Sequence, residues 1–125
     1  MKKILLIDSD RITSALSSKF LSNYGYAVSV AFDGKQGIDM LENNKFDLVL
    51  SEISLDGLSG FDTFKLLRKC YKDIPVAFLT SEDDRATRAE AANMGAVALI
   101  SKRQDYINLP LLLEKIFYGA HDLVA

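Results

Sequence analysis

Polar side chains that could do chemistry follow four of the five apolar stretches in this sequence. Carboxylates come directly after the first stretch, at Asp8 and Asp10, and another carboxylate, Glu52, follows the third. A hydroxyl group, Thr80, ends the fourth stretch, and an amine, Lys102, follows the fifth. If these groups come together, they can bind a cation, hold a phosphoryl group or form a salt-bridged rim.

The elements that must position these residues are short strands. Each apolar stretch is rich in β-branched or large aliphatic residues and is too short for a typical helix. The stretches begin at Lys3 (KILLI), Ala27 (AVSVAF), Phe46 (FDLVLS), Pro75 (PVAFLT) and Ala96 (AVALIS). The second alternates with Ser29, which predicts an edge strand, whereas the other four are nearly all apolar, as strands covered on both faces are.

Segments with helical spacing lie between the strands. One face of the first predicted helix carries Ile12, Leu16, Phe20 and Leu21. Candidate caps for this helix lie at Asp8 to Asp10, Gly95 ends the fourth helix, and Pro110 lies in the first turn of the last. Alternating strands and helices predict a parallel α/β sheet covered on both faces. In such sheets ligands bind beyond the carboxyl ends of the strands.

Length and composition indicate one globular domain. The 125 residues are 49% hydrophobic and 26% charged, with a net charge of -2 that gives no electrostatic footprint for nucleic acid or for an anionic membrane. Cys70 is the only cysteine, which excludes an internal disulfide and favours a reducing, cytoplasmic location. We expect the domain to span residues 1–120, with the tail 121–125 as the start of a linker.

Four motifs resemble those of the response regulator receiver (CheY-like) domains of two-component systems, and the resemblance covers the whole chain. The motifs are KILLIDSD, DLVLSEISLDGLSGFD, IPVAFLTS and MGAVALISK. The resemblance implies a doubly wound (βα)5 flavodoxin-like three-layer sandwich, with five parallel strands in the order 2-1-3-4-5. It also implies that the polar strand ends form a phosphorylation pocket between the first and third strands.

The resemblance further implies a role for each pocket position. In the family, an aspartate after the third strand accepts the phosphoryl group, and two acids after the first strand help hold Mg²⁺. A hydroxyl residue and a lysine contact the phosphoryl oxygens, and an aromatic residue in the fifth strand moves with the hydroxyl. Asp8 matches the first acid, and Thr80 and Lys102 match the hydroxyl residue and the lysine.

Other positions depart from the family pattern. Glu52 stands at the phosphoacceptor position, Ser9 stands where the second acid is expected, and Leu99 stands at the switch aromatic. Arg103 and Asp56 each replace a proline. Because Mg²⁺ requires close octahedral oxygen ligands, the loss of one acid predicts weak or absent metal binding. The remaining candidate ligands are Asp8, Asp10 and Glu52.

These departures predict a degenerate receiver that is not an enzyme. The longer side chain of Glu52 is expected to reach Lys102 and Thr80, either as a stand-in for the phosphorylated state or as a permanent ion pair. We therefore expect a phosphorylation-independent interaction module that needs no cofactor. The resemblance implies partners such as a histidine kinase or an output domain, bound through the face of the fourth helix, fifth strand and fifth helix. Such domains often pair through that face, so a homodimer is also expected.

Two other functions remain open from the sequence. The first is a receiver that is still phosphorylated through a weakened site. The second is a flavodoxin-like cofactor-binding domain or small enzyme on the same sheet. The second has less support, because DSDRITSAL runs straight from the first strand into a helix without a phosphate-binding loop.

Overall fold

The computed structural model describes residues 1–119 and contains one five-stranded parallel sheet. The strands are β1 (Lys3–Ile7), β2 (Ala27–Ala31), β3 (Leu48–Ser51), β4 (Val76–Thr80) and β5 (Ala98–Ser101). Their order is β2-β1-β3-β4-β5, and every neighbouring pair is parallel. The predicted doubly wound fold and its strand order are confirmed. The predicted tail 121–125 and the domain boundary at 120 lie outside the described residues.

Five helices alternate with the strands. They are α1 (Arg11–Ser22), α2 (Gly34–Asn43), α3 (Gly60–Cys70), α4 (Arg85–Asn93) and α5 (Leu109–Glu114). A 3₁₀ turn, Tyr106–Asn108, precedes α5, and a π-helical turn, Lys115–Gly119, follows it. In the first four helices an Asp or Ser side chain just before the helix accepts hydrogen bonds from first-turn N–H groups. Within residues 1–119, no helix is long and apolar enough to cross a membrane.

The sheet separates two apolar layers. Side chains alternate between the faces of a strand, so Leu5 and Ile7 of β1 enter one layer and Ile4 and Leu6 enter the other. All residues of β3 and β4 are buried, as expected for central strands. The edge strand β2 is only partly buried until Ala31, which agrees with its alternating sequence. The sheet is thus packed on both faces, and the carboxyl ends of its parallel strands lie at one edge.

Helix α1 buries only part of its predicted apolar stripe. Ile12 is 76% exposed and Leu16 is 63% exposed, whereas Ser14, Ser17 and Leu21 are buried. The Ser17 hydroxyl forms a hydrogen bond of 2.7 Å with the hydroxyl of Tyr106, which ties α1 to the turn before α5. The apolar periodicity therefore located the helix correctly, but only Phe20 and Leu21 of the four predicted residues pack against an apolar layer.

The connection from β3 to α3 is held closely against the end of β3. A Cβ atom on Gly60 would lie 2.2 Å from the carbonyl oxygen of Glu52, so only glycine fits there. The Gly60 N–H donates to the carbonyl oxygen of Ile53 at 2.7 Å, and the Ser59 side chain caps α3. The loop that leaves Glu52 is thereby fixed in place beside the pocket.

Candidate functional site

A polar cavity lies at the carboxyl ends of β1, β3 and β5. Its lining residues are Asp8, Ser9, Asp10, Thr13, Glu52, Ser54, Asp56, Ser81 and Lys102. Parallel strands bring their carboxyl ends to one edge of the sheet, which is why residues so distant in sequence meet here. The cavity thus holds most of the polar residues that the sequence marked as candidates.

Lys102 lies between two carboxylates. Its Nζ atom is 3.0 Å from Oδ2 of Asp8 and 3.0 Å from Oε1 of Glu52. The three side chains are largely buried, with exposed fractions of 15% for Lys102, 4% for Asp8 and 13% for Glu52. Burial by itself lowers the pKa of the Lys102 ammonium, but the hydrogen bonds to Asp8 and Glu52 and their charges raise that pKa above its usual value.

The other oxygen of each carboxylate also accepts a hydrogen bond. Asp8 Oδ1 accepts from the backbone N–H of Asp10 at 2.9 Å. Glu52 Oε2 accepts from the backbone N–H of Ile53 at 2.7 Å. Each of the four oxygens therefore has a hydrogen-bond donor within the chain, and the two carboxylates share one ammonium.

Ser9 ties two loops together across the rim of the cavity. Its hydroxyl donates to the carbonyl oxygen of Phe32 at 2.6 Å, and the same oxygen accepts from the backbone N–H of Asp56 at 2.9 Å. A proline at position 56 would have no N–H to donate. The two departures at Ser9 and Asp56 thus form one contact.

Asp10 serves as the N-cap of α1. Its carboxylate accepts from the backbone N–H groups of Ile12 and Thr13 at 3.0 Å each. The hydrogen bond from Thr13 is the main reason that the pKa of Asp10 lies below its usual value. The carboxylate is therefore engaged at the helix terminus and does not stand in for the acid missing at position 9.

The residues in the cavity do not fit a Mg²⁺ ion. Mg²⁺ prefers six oxygen ligands in octahedral geometry. Here the ammonium of Lys102 lies between Asp8 and Glu52, the two carboxylates that would have to bind the metal, and the Ser9 hydroxyl is already hydrogen-bonded. Over residues 1–119, no group of three or more His, Cys, Asp or Glu side chains is arranged to hold a metal ion.

No hydrogen bond joins Thr80 to Glu52, although they lie at the ends of neighbouring strands. Thr80 is fully buried, its hydroxyl oxygen accepts from the backbone N–H of Glu82 at 3.1 Å, and it does not line the cavity. Leu99 packs partly buried against the apolar layer that contains Phe78. Of the two contacts expected for Glu52, the structure therefore contains the one with Lys102 but not the one with Thr80.

One participating residue was not marked as a candidate from the sequence. The carboxylate of Asp83, in the loop between β4 and α4, accepts from Ser101 Oγ at 2.5 Å and is paired with Arg103. In the sequence, Asp83 is the middle one of three consecutive acids, Glu82 to Asp84, at the start of the predicted fourth helix, and of these only Asp84 caps α4. The sequence signal that could have pointed to Asp83 was Arg103, which stands where the family has a proline. It adds a positive charge next to Lys102, and that charge calls for a nearby acid.

Comparison with known proteins identifies the family. The family model described as the response regulator receiver domain matches residues 4–114. The chain belongs to the response regulator receiver family. This confirms the resemblance seen in the sequence.

Individual relatives agree with this assignment. The chain is 31% identical over 117 residues to the transcriptional regulatory protein CrdR of Helicobacter pylori. The aligned region covers 93% of this chain and 55% of CrdR. The receiver also resembles the solved structure of the chemotaxis protein CheY4 of Vibrio cholerae, with 26% identity, a TM-score of 0.85 and coverage of 92% of this chain and 98% of CheY4.

A second solved structure is the non-phosphorylated receiver domain of HemR from Leptospira biflexa. It has 26% identity, a TM-score of 0.86 and coverage of 94% of this chain and 95% of that domain. The receiver spans about half or less of the length of curated relatives such as CrdR, at 55%, and ZraR of Escherichia coli, at 28%. The relatives therefore establish the type of domain, and the solved structures match it over almost its whole length.

Proposed function

We propose that this receiver acts as a phosphorylation-independent protein-interaction module in a two-component or phosphorelay pathway, and not as an enzyme. The observation that carries the proposal is the position of Lys102, whose ammonium lies 3.0 Å from both Asp8 and Glu52. The pair of carboxylates that would otherwise attract a metal ion already shares the ammonium of Lys102, which offsets part of their negative charge. The pocket is thus closed by a permanent ion pair.

The nucleophile that a phosphoryl transfer would need is engaged. One oxygen of Glu52 is in the ion pair with Lys102 and the other accepts from the N–H of Ile53. Phosphoryl transfer depends on an aligned nucleophile and on cations that neutralise the developing charge. Because the residues do not fit Mg²⁺ and Lys102 is committed to two carboxylates, transfer to Glu52 should be very slow.

The departures from the family pattern support the same proposal, since each forms a contact within the chain. Glu52 pairs with Lys102, Ser9 bonds to the N–H of Asp56, and Arg103 pairs with Asp83. Together these contacts connect the loops after β1, β3, β4 and β5. A receiver whose pocket loops are held in this way presents one surface regardless of phosphorylation.

For the partner surface, we propose the face formed by α4, β5 and α5. A groove beside β5 and α5, to which α4 contributes no residue, is lined by Pro75, Val97, Ala98, Leu99, Ile100, Asp105, Leu112, Lys115 and Ile116. Val97 is 49% exposed there, so its apolar side chain is available to a partner. The proposed partner is the apolar surface of a histidine kinase or an output domain, and a second copy of this chain is the alternative.

Chemical phosphorylation tests the proposal. The unmodified chain is incubated with phosphoramidate and Mg²⁺, and its intact mass is followed beside the variant Ser9→Asp/Glu52→Asp. We expect no phosphoryl addition to the unmodified chain and measurable addition to the variant. The matched control Ser9→Asp/Glu52→Asn has no nucleophile at position 52 and should stay unlabelled. Robust labelling of the unmodified chain at Glu52 would overturn the proposal.

The partner surface is tested with one exposed apolar residue in the groove and one outside it. Val97→Glu places a charge in the proposed groove, and Ile107→Glu places one at a residue that is 81% exposed outside it. Once a partner is identified by crosslinking, Val97→Glu should weaken its affinity by about tenfold or more, as buried charges at interface centres do. If Ile107→Glu weakens binding and Val97→Glu does not, the proposed face is wrong.

A further inference from the structure

One carboxylate holds the residues on both sides of Lys102. Asp83 Oδ2 accepts from the hydroxyl of Ser101 at 2.5 Å, and Asp83 Oδ1 is paired with the guanidinium of Arg103. Lys102 is the residue between these two donors in the chain. A single side chain from the loop between β4 and α4 thus fixes the end of β5 at two points.

Asp83 is itself well anchored. Arg88 of α4 donates through Nε to the carbonyl oxygen of Asp83 at 2.9 Å, and through Nη1 to the carbonyl oxygen of Leu99 at 3.3 Å. The Asp83 side chain is only 6% exposed. The hydrogen bond from Arg103, followed by that from Ser101, holds the pKa of Asp83 below its usual value. The carboxylate therefore stays ionised and keeps both acceptors.

We propose that Asp83 is a positioning residue for Lys102, because it fixes the backbone from which the lysine reaches Asp8 and Glu52. A lysine side chain has four rotatable bonds, and holding it in one geometry costs up to about 2 kcal/mol of rotamer entropy. The ion pairs of Lys102 therefore depend on a backbone that holds the lysine in a constant position. The clamp from Asp83 supplies that constraint at residues 101 and 103.

The inference deepens the proposed function and rests on it, since it explains what keeps the ion pair of the pocket permanent. It also gives α4 a direct connection to the pocket, from Arg88 through Asp83 to the two neighbours of Lys102. The alternative is that the Asp83–Arg103 pair is a surface salt bridge that does not affect the position of Lys102. Arg103 is 64% exposed, and exposed pairs often contribute little to stability.

The reactivity of the Lys102 amine distinguishes these possibilities. The folded chain is treated with a limiting amount of an acetylating succinimidyl ester, and acetylation at each lysine is measured by peptide mass spectrometry. Lys35 and Lys65 are exposed and serve as internal references. An amine held between two carboxylates reacts slowly, and loss of its position exposes it to the reagent.

Three variants are compared. Asp83→Ala removes the clamp, and Ser101→Ala/Arg103→Ala removes both donors while the carboxylate remains. Asp84→Ala is the matched control, because it deletes the cap of α4 without touching residues 101 or 103. We expect acetylation of Lys102 to rise about fivefold or more in the first two, the order of effect of losing a charge-assisted hydrogen bond. The control should match the unmodified chain.

The sign of the charge change separates positioning from simple electrostatics. Removal of the negative charge at Asp83 favours the neutral, reactive amine, whereas removal of the positive charge at Arg103 disfavours it. Faster acetylation of Ser101→Ala/Arg103→Ala therefore requires a positional effect. Unchanged or slower acetylation in that variant, or equal acceleration in Asp84→Ala, overturns the inference. Phosphoryl labelling of the unmodified chain would instead contradict the proposed function, so the two failures are distinct.

Discussion

The Nζ atom of Lys102 and the Oε1 atom of Glu52 lie 3.0 Å apart, so the ends of β5 and β3 are joined directly across the pocket. The same ammonium is 3.0 Å from Asp8. One cation therefore serves two carboxylates in a largely buried place. Among these three side chains, loss of Lys102 should therefore have the largest effect, because it leaves the two carboxylates without a counter-ion.

Lys102→Met should destabilise the domain more than any change to one carboxylate. We expect the free energy of unfolding to fall by about 2–4 kcal/mol, the cost of leaving buried charges unpaired. Glu52→Gln should cost less, because Lys102 keeps its pair with Asp8. Urea denaturation at neutral pH measures both values, with Lys65→Met on the exposed side of α3 as control. An unfolding free energy for Lys102→Met equal to that of the native chain would contradict this account.

Mg²⁺ should leave the stability of the native chain unchanged. The cavity already satisfies its carboxylates, so a salt of Mg²⁺ should shift the melting temperature no more than NaCl of the same ionic strength. In Ser9→Asp/Glu52→Asp a second acid returns, and Mg²⁺ at ten times its dissociation constant should stabilise by about 1.4 kcal/mol. Differential scanning calorimetry with and without a chelator measures both. A Mg²⁺-specific stabilisation of the native chain would show that the ion displaces Lys102.

The fold could be predicted from the sequence because its signals are local and repeated. Five short apolar stretches alternate with helical segments, and the stretch containing Ser29 identified the edge strand β2. The meeting of Asp8, Glu52 and Lys102 followed from the geometry of parallel strands and from the length of the glutamate side chain. The strand order and the pairing of Glu52 with Lys102 were implied by the resemblance to receiver domains and not by the periodicity of the sequence.

Other parts of the site depend on loop conformation, which the sequence pattern does not specify. The hydroxyl of Thr80 turns to the N–H of Glu82 within its own loop, although its strand end pointed to the pocket. Asp83 and Asp84 are adjacent acids with the same apparent capping role, yet only Asp84 caps α4. Which of them bonds to Ser101 is decided by packing between β5 and the loop before α4, and that packing involves residues far apart in sequence.

Helix α1 gives a direct test of which face supports the fold. Leu21→Ala removes a fully buried side chain and should cost about 2–4 kcal/mol, whereas Leu16→Gln alters a residue that is 63% exposed and should change stability by about 0.5 kcal/mol or less. Chemical denaturation of both variants measures the difference. If Leu16→Gln were as damaging as Leu21→Ala, the exposed part of the predicted stripe, at Leu16, would have to pack against the domain as well.

Acid should weaken the clamp around Lys102 through Asp83. The pKa of Asp83 is held below its usual value by Arg103 and Ser101, so its contribution to stability is present above the unfolded-state pKa of about 3.9 and is lost as the pH falls through the lower folded-state pKa. Asp83→Asn removes this contribution at all pH values. The difference in unfolding free energy between the native chain and Asp83→Asn should therefore be largest near neutral pH and shrink below about pH 4.

Urea denaturation of the native chain and Asp83→Asn between neutral pH and about pH 2.5 measures this window. Other carboxylates with lowered pKa values, such as Asp84, are present in both proteins, so their effect cancels in the difference. Arg103→Ala removes the main cause of the lowered pKa of Asp83 and should reduce the acid dependence in the same pH range. A stability difference that stays constant down to the acid limit would mean that Asp83 acts through shape alone, because a titrating carboxylate must lose its ionic contacts when it is protonated.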